Sequence, residues 1–374
     1  MIVKTPPMGW NTWNTFGVNI DEKLIKESAD ALVETGLAEC GYTYLVMDDG
    51  WSEHRRDENS RRIVPDHIKF PNGIVPIADY IHSKGLKLGM YSCCGYQTCA
   101  AYPSSYEHEF IDAETFAEWG VDYLKYDYCY KPNHEQGQLL YRRMGTALAN
   151  CGRDIVFSGC SWGADNTHEW IKTTGAHLWR STGDIFDTWD SIKTLTKAQM
   201  PLFPYNGNGC FNDMDKMVVG MRGKGNVGFA GCTDVEYRTH FSIWALCGSP
   251  LMIGCDIRDM SPEIAAILKN KEVIAIDQDP AYGQVFRVTG DEDRFVWARL
   301  LANGDYAIGM VNLSDTPWRA SFALSDMGIN GTCQRKLAMK ELWSGEETAS
   351  LEGYFMTDIA PHDCKLYRAK VVKI

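Results

Sequence analysis

No stretch of this 374-residue chain approaches the ~20 consecutive apolar residues that a membrane-spanning helix needs. Positive charge is also short. Forty-nine acids against 37 bases leave a net charge of −12, the wrong sign for nucleic acid or anionic lipid as partner. The 13 cysteines include no pair of C-x₂-C motifs, so they do not read as a structural zinc site. No glycine-rich phosphate loop opens a helix, so nucleotide binding has no support, and neither metal nor other cofactor is expected. The opening Met1-Ile2-Val3-Lys4-Thr5-Pro6-Pro7 has no apolar signal core. The expectation is a cytoplasmic protein with mostly free thiols, or a secreted one if a leader has been removed. What is plentiful is aromatic: 12 Trp and 18 Tyr, many beside acids, as expected where neutral sugar rings are stacked and hydrogen-bonded.

Along the chain, apolar segments alternate with helical patterns. Strands are expected at Met8–Asn14, Tyr42–Met47, Leu86–Tyr91, Val121–Asp127, Ile155–Ser158, His177–Arg180, near Phe203–Phe211, and at Leu251–Cys255. Between them lie helices such as the one capped by Asp21, with Leu24, Ile25, Ser28 and Leu32 on one face and Gly36 after its end. Eight such units in about 280 residues predict a (β/α)₈ barrel, whose sites are built at the C-terminal ends of the strands. From about residue 284 the pattern becomes short runs separated by turns (Thr289-Gly290-Asp291, Asn303-Gly304-Asp305), which predicts a small antiparallel β-sandwich. The expected division is therefore 1–283, barrel, and 284–374, sandwich.

The strand ends carry acids. In Tyr123-Leu124-Lys125-Tyr126-Asp127, side chains two apart share a face, so Lys125 and Asp127 point together. An adjacent ammonium favours an ionised Asp127, suited to nucleophilic attack; the plain alternative is a Lys–Asp pair that holds a strand end. Asp184 follows the sixth strand. Cleaving a glycosidic bond takes one carboxylate at the anomeric carbon and one carboxylic acid at the leaving oxygen. Negative charge from Asp127 and walls from Trp179 or Trp162 are expected to raise the pKa of Asp184. Asp48 and Asp49 are placed to accept from neighbouring hydroxyls, or else to cap a loop. Trp10 or Trp51 stacks on a ring, or packs in the core. Lys125 and Arg180 donate to hydroxyls and screen the acids.

Six segments, in order, carry a resemblance: Met8-Gly9-Trp10-Asn11, Asp48-Asp49-Gly50-Trp51, Leu124-Lys125-Tyr126-Asp127, Trp179-Arg180 with Asp184, Asn212-Asp213-Met214-Asp215, and Ala275-Ile276-Asp277-Gln278-Asp279-Pro280. Together, over about residues 5–285, they resemble glycoside hydrolase family 27, which holds α-galactosidases and α-N-acetylgalactosaminidases. The resemblance implies a retaining, metal-free exo-glycosidase, with Asp127 as nucleophile and Asp184 as general acid/base. It implies that Asp48 and Asp49 hold the 6- and 4-hydroxyls of a galacto-configured sugar, with Trp10, Tyr91, Lys125, Arg180 and Asp215 around it. β-L-Arabinopyranoside-cleaving relatives change one of the paired acids; both are present here, which points to a hexose.

Family α-galactosidases usually carry Cys-Glu-Trp after the fifth strand, where this chain has Cys160-Ser161-Trp162-Gly163-Ala164. Ser161 and Ala164 resemble the α-N-acetylgalactosaminidase branch, with room for a 2-acetamido group. The expected substrate is thus a glycan ending in α-linked N-acetylgalactosamine, the alternative being galactose. Cys99 and Cys129 match a family disulfide, or are two buried thiols. Homo-oligomerisation is left open. The competing readings are a non-catalytic sugar-binding protein on the same barrel, and a metalloprotein using Cys93, Cys94, Cys99, Cys129 or Cys160.

Overall fold

Eight short buried segments become strands: β1 (Met8–Asn11), β2 (Tyr44–Val46), β3 (Lys87–Cys93), β4 (Tyr123–Asp127), β5 (Val156–Cys160), β6 (Leu178–Arg180), β7 (Phe211–Asp213) and β8 (Leu251–Ile253). In the computed structural model, which describes residues 2–207, 209–330 and 334–374, they form one parallel sheet in the order β7-β6-β5-β4-β3-β2-β1-β8. Met217, just beyond β7, closes the circle: its N–H donates to Met252 O at 2.7 Å and its carbonyl accepts from Gly254 N–H at 2.9 Å.

Alternation along the strands divides the apolar residues into two layers. Tyr44, Val46, Tyr123, Val156, Leu178, Phe211 and Met252 pack together with Val3 inside the barrel. Leu45, Leu88, Leu124, Phe157 and Trp179 join the larger core shared with the surrounding helices. The Glu22–Glu34 helix shows how local chemistry sets its ends. Asp21 accepts from Leu24 N–H at 2.7 Å, and Gly36 follows in the left-handed region at φ +77°.

One expected strand moves. Met200–Tyr205 is a 3₁₀ helix, and the seventh strand is confined to Phe211–Asp213. Pro201 and Pro204 fix φ near helical values and remove two donors a central strand needs, so the apolar run from Phe203 cannot pair.

After the last barrel helix, Lys271–Asp277, the chain builds β9 (Phe286–Gly290), β10 (Arg294–Leu300), β11 (Tyr306–Asn312), β12 (Trp318–Ala323), β13 (Arg335–Glu341), β14 (Glu347–Ala349), β15 (Tyr354–Ile359) and β16 (Cys364–Lys373). A six-stranded sheet, β14-β13-β16-β11-β10-β9, faces the β12-β15 pair across a core that includes Val296, Ile308, Met310, Phe322, Leu337 and Phe355. The Asn303-Gly304 turn joins β10 to β11, with Gly304 at φ +85°. The sandwich is docked by buried polar contacts. Arg299 of β10 donates to the barrel carbonyls of Ile276 and Leu246, and Trp343 Nε1 donates to Ser242 Oγ at 2.9 Å.

Candidate active site

Asp127 ends β4 and is buried. Its Oδ1 accepts from Tyr128 N–H at 2.9 Å, and Lys125 Nζ stands 3.7 Å from Oδ2. The shared face read from the strand is therefore real. The sign of the electrostatics is not as expected: burial raises the pKa of Asp127 by more than Lys125 lowers it. The ammonium lies closer to Asp48, 2.9 and 3.2 Å from its two oxygens. Asp48 also accepts from Asn11 Nδ2 at 2.8 Å. Burial pushes Asp48 up, but Lys125 and Lys216 outweigh it and hold the carboxyl below its ordinary value. Asp49, beside it, has no such cation among the described residues. Burial raises it to about 6, against hydrogen bonds from Ala100 N–H and Gly50 N–H, each at 2.8 Å.

A second cluster is organised by Arg180 at the end of β6. Its Nη1 lies 3.0 Å from Asp215 Oδ1 and its Nη2 lies 3.0 Å from Asp184 Oδ1. Asp215 further accepts from Lys216 Nζ at 3.0 Å and from Ile185 N–H at 2.8 Å. Although burial opposes its ionisation, Arg180 and Lys216 drive its pKa far down. Asp184 is not walled by Trp179. Its side chain is 55% exposed, and Trp179, by strand alternation, faces the helix layer instead.

Cys160 links the clusters. It is the register partner of Asp127, and Arg180 Nη1 donates to its sulfur at 3.5 Å. Arg180 thus reaches from Asp184 to the sulfur beside Asp127, so the two acids border one site, and the negative charge of Asp184 adds to the rise in the pKa of Asp127. Tyr91 completes the floor, with Lys125 Nζ 5.0 Å from its ring centroid and its hydroxyl donating to Cys99 Sγ at 3.2 Å. Cys99 and Cys129 are disulfide-bonded across a separation of 30 residues. Cys99, Cys129 and Asp127 converge within 4.8 Å as a metal site would. The two sulfurs are bonded to each other, however, which withdraws the thiolates such an ion requires.

Other expected residues are engaged within the protein. Trp10 is 0% exposed, donates from Nε1 to Cys255 O at 2.8 Å and packs on Phe16. Trp51 is buried, with its Nε1 on Tyr91 O. Both pack as core residues. Ser161 is also 0% exposed, and its hydroxyl is bonded to Thr167 Oγ1, which donates to Ala164 O at 2.6 Å. Trp162, at φ +57°, turns its ring to Tyr128. Sequence reasoning passed over Lys216 and Asn11 as individuals, though both lie in or beside quoted motifs. The signal for Lys216 was charge balance, since buried acids at strand ends need cations.

Comparison with known proteins places this geometry. Residues 5–279 match the family model described as alpha galactosidase A, and residues 291–369 match the alpha galactosidase C-terminal β-sandwich domain. An alpha-galactosidase of Oryza sativa subsp. japonica is 42% identical over 368 residues, covering 97% of this chain and 84% of its own length. The crystal structure of alpha-galactosidase I from Mortierella vinacea superposes with a TM-score of 0.90 at 32% identity, covering 98% of this chain and 97% of that one. The Saccharomyces cerevisiae alpha-galactosidase structure with raffinose gives 0.87 at 28% identity, covering 99% and 98%. The chain belongs to the α-galactosidase family, glycoside hydrolase family 27, and is a glycoside hydrolase.

Proposed function

We propose that the protein is an α-galactosidase that removes terminal α-linked galactose with retention of configuration. The observation that carries this reading is the pairing of a buried strand-end carboxylate, Asp127, with a more exposed one, Asp184, which Arg180 ties to Cys160, the register partner of Asp127. In the first step an Asp127 oxygen bonds to the anomeric carbon as the glycosidic oxygen leaves with a proton from Asp184. In the second, Asp184 takes a proton from water, whose oxygen bonds to the same carbon and releases Asp127. Asp48, fixed as an anion by Lys125 and Asn11, and Asp49 accept from the sugar's hydroxyls.

Ser161 and Ala164 led to the expectation of N-acetylgalactosamine, which gains no support. The Ser161 hydroxyl is already engaged by Thr167 inside the protein, so it offers no free donor to an acetamide. The rice, Mortierella and yeast relatives are all named alpha-galactosidases. Side-by-side rates on nitrophenyl α-galactoside and nitrophenyl α-N-acetylgalactosaminide test the choice. The galactoside is expected to be the faster substrate, and the reverse order overturns the sugar assignment. Asp127→Asn is expected to abolish turnover with the fold intact, and appreciable residual hydrolysis overturns its role.

A further inference from the structure

We propose that Phe186 and Phe229 form a stacking corner for the leaving-group sugar, so that the enzyme prefers galactosides whose departing group is itself a pyranose ring. The inference rests on the α-galactosidase reading above. From Asp184 to Asp187 the backbone is irregular and its side chains alternate: Asp184 and Phe186 outward, Ile185 and Asp187 inward. Phe186 is therefore exposed, as Asp184 is, two residues further along the chain. The proton passed from Asp184 goes to the oxygen that departs, so the leaving group occupies Asp184's outer side.

The aromatic pair is open there. Phe186 is 43% exposed and Phe229 63%, their ring centroids are 5.3 Å apart, and their planes meet at 85°. Two adjacent phenylalanines that touch each other and still face solvent form an exposed apolar patch, and surface of that kind marks ligand grooves and contacts. The corner is also rigid. Asp187 accepts from Tyr237 Oη at 2.9 Å and from Gly223 N–H at 2.7 Å, and its own N–H donates to Val227 O at 3.0 Å. The segment carrying Phe229 is thus bound directly to the segment carrying Phe186. Gly225, at φ +85°, packs where a Cβ would lie 2.7 Å from Thr15 Cα, so that loop has little freedom to fold away.

The test compares melibiose, whose leaving group is glucose, with α-galactosyl fluoride, whose leaving group has no ring. In the Phe186→Ala/Phe229→Ala double variant, the ratio of kcat/KM on melibiose to kcat/KM on the fluoride is expected to fall about tenfold, as loss of two aromatic contacts implies. Phe186→Leu/Phe229→Leu, which keeps apolar bulk but no flat face, is expected to lower the ratio in the same direction and serves if the alanine protein does not fold. An unchanged ratio overturns the inference, as does a change in molecular mass in solution without a change in ratio, which assigns the pair to a contact between copies. Failure of the wild-type protein to hydrolyse the fluoride overturns instead the α-galactosidase reading.

Discussion

Removing the Lys125 ammonium separates the influences on Asp127. Burial raises that carboxyl and Lys125 opposes the rise. The ionised form attacks, so the acidic limb of kcat/KM is expected above the ordinary aspartate range, with activity rising as pH climbs through it. Lys125→Met moves the limb to higher pH, and a pH–rate profile reads the shift. The same change leaves Asp48 without its nearest cation in the interior and is expected to destabilise the fold by about 3–5 kcal/mol in urea denaturation. Asp49 makes a distinct prediction. Its native pKa of about 6 lies above the ordinary aspartate value of 3.8. Between those values the native state holds a proton the unfolded chain has released, so this group's contribution to stability falls as pH rises. The loss is about 3 kcal/mol across the window, and Asp49→Asn should flatten that part of the curve.

Among elements, the strand-end acids were legible because a two-residue period and apolar runs place them without ambiguity. The environment of Asp184 was not legible. Whether Trp179 walls it depends on which face of β6 each residue takes, and the three-residue strand puts Arg180 rather than Trp179 toward the site. Ser161 failed as a specificity signal for a similar reason, since its partner, Thr167, lies in the helix Thr167–Trp170 that follows β5. The disulfide was available only through resemblance. It closes a loop of about 30 residues that includes β4, and the chain-entropy relation gives it about 3–4 kcal/mol. Cys129→Ser is expected to lower stability by that order, measured by urea denaturation. It should also loosen Tyr91, whose hydroxyl rests on Cys99.

At the scale of the molecule, the Ala275–Pro280 motif works away from the chemistry. Gln278 donates to Pro6 O at 2.8 Å, Asp279 accepts from Ala302 N–H at 3.0 Å, and the Ile276 carbonyl accepts from Arg299. The motif thus seals the barrel to the sandwich. Arg299→Met together with Trp343→Ala removes the donors to two buried barrel carbonyls and to the Ser242 hydroxyl, and is expected to split a single calorimetric unfolding transition into two. The sandwich was only half legible. β9 to β12 follow apolar runs, whereas β13 and β16 are interrupted by Lys336, Lys340, Arg368 and Lys370 on the face turned from the sandwich core, and by Lys365 on the core side, where it donates to Thr357 Oγ1 at 2.7 Å. Finally, the strand-end acids Asp48, Asp49, Asp127, Asp184, Asp213 and Asp215 outnumber the cations Lys125, Arg180 and Lys216 that serve them. Such a well repels its own kind: a galactose bearing a 6-sulfate, or oxidised at that carbon to a uronate, is turned away by field alone, and adding salt should soften the refusal.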